Sequence, residues 1–101
     1  MTESKKNEIS SQSVVFRKVD FFLQEESDNW GLAYDSEMDR SFSVNPLSIF
    51  ILKQIEYEIA VHEIIEKIKE HFINVPDEVE KDVIEFLTNL YNNGYITIEN
   101  S

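Results

Sequence analysis

Arg40-Ser41-Phe42-Ser43-Val44-Asn45-Pro46 decides the fold, because within this stretch the apolar pattern changes from a period of two to a helical one. Phe42 and Val44 fall on alternate positions and share one face of a strand, while Ser41 and Ser43 share the other. Asn45 then caps a helix whose first position is Pro46, where a missing N–H costs nothing. Upstream of this junction the chain reads as sheet, and downstream it reads as helix.

Working outward toward the N-terminus, Asp35-Ser36-Glu37-Met38-Asp39 is a polar connection with turn-favouring Asp residues. Before it, Trp30-Gly31-Leu32-Ala33-Tyr34 alternates large and small side chains, which predicts a strand paired as a hairpin with Arg40–Val44. Its large residues, Trp30 above all, are expected to pack in the core, as are the Phe residues. Val14 to Leu23 is rich in Val and Phe and suits either one strand or two short strands separated by a bulge. Residues 1–13 offer Ile9 as the one bulky aliphatic side chain after Met1, too little to offset the entropy of ordering, so a disordered tail is expected there.

Toward the C-terminus, Leu47, Ile49, Phe50, Ile51, Leu52 and Ile55 cover most of a helix circumference, which requires burial between other elements. Glu56-Tyr57-Glu58 interrupts that run. Val61, Ile64, Ile65, Ile68 and Phe72 then form a single stripe of a second helix, with Glu63 and Lys67 placed as an i,i+4 pair. A third helix starts near Pro76, carries Asp77, Glu78 and Glu80 where the dipole favours anions, and stops before Gly94. Val79, Val83, Phe86, Leu87 and Leu90 make its core stripe; Lys81, Ile84, Thr88 and Tyr91 lie off it. Tyr95 to Ile98 suits a short final strand or a tail packed beside the helices.

The chain has 101 residues, enough for one core and one domain, which these elements place at residues 14–98. Without cysteine there is no disulfide, no thiol nucleophile and no thiolate-bound cluster. The polar N-terminus has no signal-peptide character and no run reaches the length of a membrane span, so a cytoplasmic protein is expected. A formal net charge of −11 repels phosphate backbones, which makes nucleic acid a poor partner, so none is expected. The same charge fits either a well-solvated surface or attraction of a basic partner.

Catalytic and metal-binding patterns are missing. His62 and His71 stand on opposite sides of the second helix, and the Asp35–Asp39 run lacks the Gly and distal Glu of a calcium loop. No phosphate-binding Gly-rich loop, nucleophile elbow or HExxH pattern occurs. The expectation is therefore a protein with no catalytic residue, metal or cofactor.

The succession Leu32-x-Tyr34, turn, Arg40-x-Phe42-x-Val44-Asn45, apolar helix, Val61-x-Glu63-Ile64, then Val83-x-x-Phe86-Leu87-x-x-Leu90-x-x-x-Gly94-Tyr95-Ile96 resembles the PqqD family. That family also supplies recognition domains for ribosomally made, post-translationally modified peptides. The resemblance implies an α+β, winged-helix-like domain, a three-stranded antiparallel sheet followed by a three-helix bundle, without catalytic activity. It implies a chaperone that binds the leader of a precursor peptide and presents it to a modifying enzyme, often a radical S-adenosylmethionine enzyme. In such domains the leader adds as a strand to the edge of the third strand, in the groove beside the third helix. Carried onto this sequence, the docking edge is Arg40, Ser41, Phe42, Ser43 and Val44.

Residue patterns lead to the same edge, because the last strand of a meander has one unpaired side. The groove wall is expected from the off-core flank of the third helix, Lys81, Ile84, Thr88 and Tyr91, with Ile84 as anchor. An open edge also permits a weak dimer beside the monomer. Two other classes share this architecture: a winged-helix transcriptional regulator, disfavoured by the acidity of the third helix, and a non-catalytic adaptor subunit.

Overall fold

The Asn45 cap forms as its position implies. In the computed structural model, which describes residues 8–27 and 29–100, Asn45 Oδ1 accepts from the Ser48 N–H at 2.9 Å and Pro46 opens helix α1 (Pro46–Ile55). Ahead of it lie β1 (Val14–Arg17), β2 (Phe21–Glu25), β3 (Gly31–Asp35) and β4 (Arg40–Val44). After it come α2 (Val61–His71), α3 (Val79–Asn92) and β5 (Ile96–Glu99). The class is α+β: an antiparallel sheet in the order β2-β3-β4, three helices, and a separate two-stranded ribbon of β1 and β5, in a winged-helix-like arrangement.

Val14 to Leu23 thus divides into two strands that belong to different sheets. A turn separates them rather than a bulge, with the Phe21 N–H bonded to the Lys18 carbonyl at 3.1 Å. The C-terminal stretch is a strand because β1 provides its partner, in the register Val15 opposite Ile98 and Arg17 opposite Ile96.

The helices bury most of the expected stripes, Ile49, Ile51, Leu52 and Ile55 from α1, Val61, Ile64, Ile65 and Ile68 from α2, and Val79, Val83, Leu87 and Leu90 from α3, whereas Phe72 and Phe86 are only half-buried. Glu63 does not pair with Lys67; its Oε1 accepts from the Ala60 N–H at 2.9 Å, closing the start of α2. Gly94, at φ 81°, follows the end of α3 as a stop in the left-handed region.

Two expectations require correction. Residues 8–13 are docked on the fold rather than belonging to a tail; residues 1–7 lie outside the described residues. Ala60 has no side chain to cap α2, and its orphan amides are satisfied by this segment: Val61 N–H donates to Ser13 O at 2.9 Å and His62 N–H to Ser11 O at 2.8 Å. Ile9 is buried as well. Hydrogen bonding to α2, which composition does not report, orders the segment.

The second correction concerns the hairpin. The small-residue face of β3, Gly31 and Ala33, is the buried one, while Leu32 and Tyr34 are half-buried and Trp30 is 47% exposed. Helix α1 packs on β2 and β4, and small side chains on the strand between them leave it room. The large side chains therefore cover the outer face, where the Phe22 and Tyr34 rings lie 5.6 Å apart.

Candidate functional site

Among the described residues strand β4 pairs with β3 on one side only, so its other side is a sheet edge. Which of its residues face outward follows from bonds further along the sheet. Ser36 N–H donates to Asp20 O at 3.0 Å and Glu26 N–H to Trp30 O at 3.2 Å. In the β2–β3 register hydrogen-bonded pairs recur at every second position, so these two continue through Phe22–Tyr34 and Gln24–Leu32, and Tyr34 and Leu32 direct their backbone groups toward β2. Gly31, Ala33 and Asp35 must then direct theirs toward β4, where they oppose Val44, Phe42 and Arg40. The backbone N–H and C=O groups of Ser41 and Ser43 consequently point away from the sheet. Among the described residues neither makes a backbone hydrogen bond outside the sheet ladder.

Beside this edge lies a groove of about 380 Å³ between β4 and α3. Phe42, Leu90 and Tyr95 form its apolar part, Phe86 stands on the helix side, and Asn89, Asn93, Arg40 and Ser41 rim it. The Tyr95 ring is buried and stacks on Phe21 at 4.7 Å, with Phe42 at 5.7 Å, so the floor is a rigid aromatic layer shared with the core. The Arg40 guanidinium lies 5.6 Å above Tyr95 and reaches within 3.5 Å of the Asn93 carbonyl oxygen at the end of α3. Cation and helix C-terminus are favourably placed.

Asp35 holds the turn that sets this edge in position. Its carboxylate is buried, with Oδ1 accepting from the Glu37 and Met38 N–H groups at 2.8 and 3.1 Å and Oδ2 from Lys18 Nζ at 3.1 Å. Burial pushes the Asp35 carboxyl up, but the Met38 N–H, the Lys18 ammonium and the Glu37 N–H together hold it below its ordinary value. Lys18 moves in the complementary direction, raised by its hydrogen bond to Asp35 against a desolvation cost, with Glu37 adding to the rise. The turn brings Met38 over Gly94, where a Cβ would sit 3.5 Å from Met38 Cε. The hairpin tip is thereby tied to the end of α3.

The sequence-predicted residues divide into two groups. Arg40, Ser41 and Phe42 line the groove, and Ser43 and Val44 continue the same strand, Val44 with its side chain in the core. Lys81, Ile84, Thr88 and Tyr91 do not line it. At about 100° per residue, Tyr91 lies roughly 140° round α3 from Phe86, and Ile84 the same angle from Asn89. Lys81 is exposed, whereas Ile84 and Tyr91 are half-buried against the core. Phe86, Asn89 and Leu90 of α3, and Asn93 at its end, are the groove residues on the helix side that sequence reading did not assign to the site. Phe86, Asn89 and Asn93, at i, i+3 and i+7, mark a stripe, but nothing in the sequence says which flank of the helix meets the strand.

Elsewhere the surface is concave between α1 and α2, where His71 stacks on Phe50 at 4.6 Å, but none of the residues lining that cleft belongs to a strand. His62 and His71 are both exposed, and among the described residues no group of three or more His, Cys, Asp or Glu side chains is disposed to hold a metal ion. No helix among them is long and apolar enough to cross a membrane.

Residues 31–96 match the family model described as Coenzyme PQQ synthesis protein D (PqqD). The match runs from Gly31 in β3 to Ile96 in β5 and takes in the β4 edge, α3 and the groove between them. No curated protein and no solved structure matches the chain.

Proposed function

This chain belongs to the PqqD family, and from that premise we propose that it is a non-catalytic peptide chaperone. It binds the leader of a ribosomally made precursor peptide as an added strand on β4 and presents it to a modifying enzyme, such as a radical S-adenosylmethionine protein. The observation that carries this reading is the juxtaposition of a free backbone edge at Ser41 and Ser43 with the apolar groove of Phe42, Phe86 and Leu90. The edge supplies four backbone groups. At about 0.5–1.5 kcal/mol per hydrogen bond they total about 2–6 kcal/mol, which reaches only the lower end of the cost of association. Net affinity comes from apolar leader side chains in the groove, at roughly 1.5–3 kcal/mol for each one fully buried.

The reading is tested by selecting binders from a displayed random-peptide library and titrating the strongest into isotope-labelled protein. Amide shifts are expected at Arg40–Val44 and along α3 from Phe86 to Asn93. Shifts confined to α2, or a library that yields no binder, would overturn the reading.

A further inference from the structure

The groove is electrically asymmetric. At one end stands Arg40, beside the C-terminus of α3. Arg17, Lys18 and Lys53 each form an ion pair with a carboxylate, whereas among the described residues Arg40 forms none. Past the groove's lining, which ends at Phe86, the stripe of α3 that contains Phe86, Asn89 and Asn93 continues one turn back to Asp82, flanked by Glu85 and Glu78. All three carboxylates are exposed. A bound strand therefore meets a cation at the Arg40 end and a row of anions toward the start of α3, with the apolar floor between them.

We infer that the leader is recognised by its charge polarity: a basic residue, an alternating apolar pair, then an acidic residue, read from N- to C-terminus. The inference rests on the proposed strand addition. The reading direction follows from the sheet, which is antiparallel throughout; a strand added antiparallel to β4 has its C-terminal end at Arg40. The spacing follows from the helix. From Asp82 to Asn93 the α3 axis rises about 17 Å, which an extended peptide spans in about five residues. Long Lys and Glu side chains take up the remaining residue of a same-face pattern. The apolar pair gives affinity and the terminal charges give register and direction, since strand pairing on a polar edge does not by itself fix register.

Two synthetic heptapeptides separate the alternatives: Lys-Thr-Leu-Thr-Leu-Thr-Glu, and the same sequence with Lys and Glu exchanged. Their composition, net charge and apolar content are identical. In titrations at low salt the first is expected to bind about tenfold more tightly, since each exposed charge contact passes from attraction to repulsion on exchange. The preference should shrink in 0.5 M salt and fall by about half on a logarithmic scale in Arg40→Ala, whose fold is checked by circular dichroism. Equal affinity for the two peptides, or the opposite preference, would overturn the charge assignment while leaving strand addition standing. Binding of neither peptide at millimolar concentration, by a protein that binds no library-selected peptide either, would overturn both.

Discussion

Proline substitutions at Ser41 and Ser43 separate the backbone role of β4 from its side-chain role. Because both N–H groups point away from β3, Ser41→Pro and Ser43→Pro remove no ladder bond and cost the fold little beyond the adjustment of φ. Each removes one hydrogen bond to an added strand, about 0.5–1.5 kcal/mol, or roughly a two- to twelvefold loss of affinity, before any clash of the ring with the peptide. Phe42→Pro is the opposite case. Its N–H faces Ala33 across the ladder and its ring packs on Phe21 and Tyr95, so loss of the bond and the ring should destabilise the fold by on the order of 3 kcal/mol. Calorimetric titration with a library-selected peptide, run beside urea denaturation, measures both quantities. Ser41→Pro and Ser43→Pro proteins that fold normally and keep full affinity would refute the outward assignment and with it the docking edge.

Other substitutions probe the groove and the scaffold. Phe86→Ala should weaken peptide binding about tenfold while Ile84→Ala, on the far flank of α3, changes it less than twofold; titration of the two variants side by side checks this. Gly31→Ala should destabilise by about 1–3 kcal/mol in urea denaturation, because its Cβ would sit 2.7 Å from the backbone oxygen of Gln24. The Asp35 carboxyl is held below its ordinary 3.8, so its contribution to stability is complete above that value and lost as the pH falls through the lower, folded one. Lys18 is raised above 10.5, so its contribution is complete below that value and lost as the pH climbs past it. Melting temperatures of Asp35→Asn against the parent chain should accordingly converge in strong acid and differ near neutrality.

The junction at Asn45-Pro46, the three helical stripes and the hairpin of β3 with β4 were legible because each rests on local chemistry: a cap, a period of 3.6, a period of two. The docking of residues 8–13 was not legible, since it depends on an uncapped α2 whose amides find Ser11 and Ser13 across space. The facing of Trp30 was misread for a similar reason. Alternation separates the two faces of a strand without saying which the helix covers, and here the Gly31 and Ala33 face admits α1. The same ambiguity holds for α3, where the flank that lines the groove is that of Phe86 and not that of Ile84 and Tyr91. Ile84 and Tyr91 looked available because they are apolar and lie off the stripe, and Phe86 looked like core because it lies near it. The edge strand itself needed no such choice, since a strand that ends a meander has one free side whichever way the helices pack.

Strand addition is tested most directly by hydrogen exchange at single amides of β4, with and without a bound library-selected peptide. In the free chain the Phe42 and Val44 amides should be protected by β3, while those of Ser41 and Ser43 exchange freely. On binding, Ser41 and Ser43 should become protected and Phe42 and Val44 change little. A peptide that binds tightly yet leaves the Ser41 and Ser43 amides exchanging as before does not add to this edge.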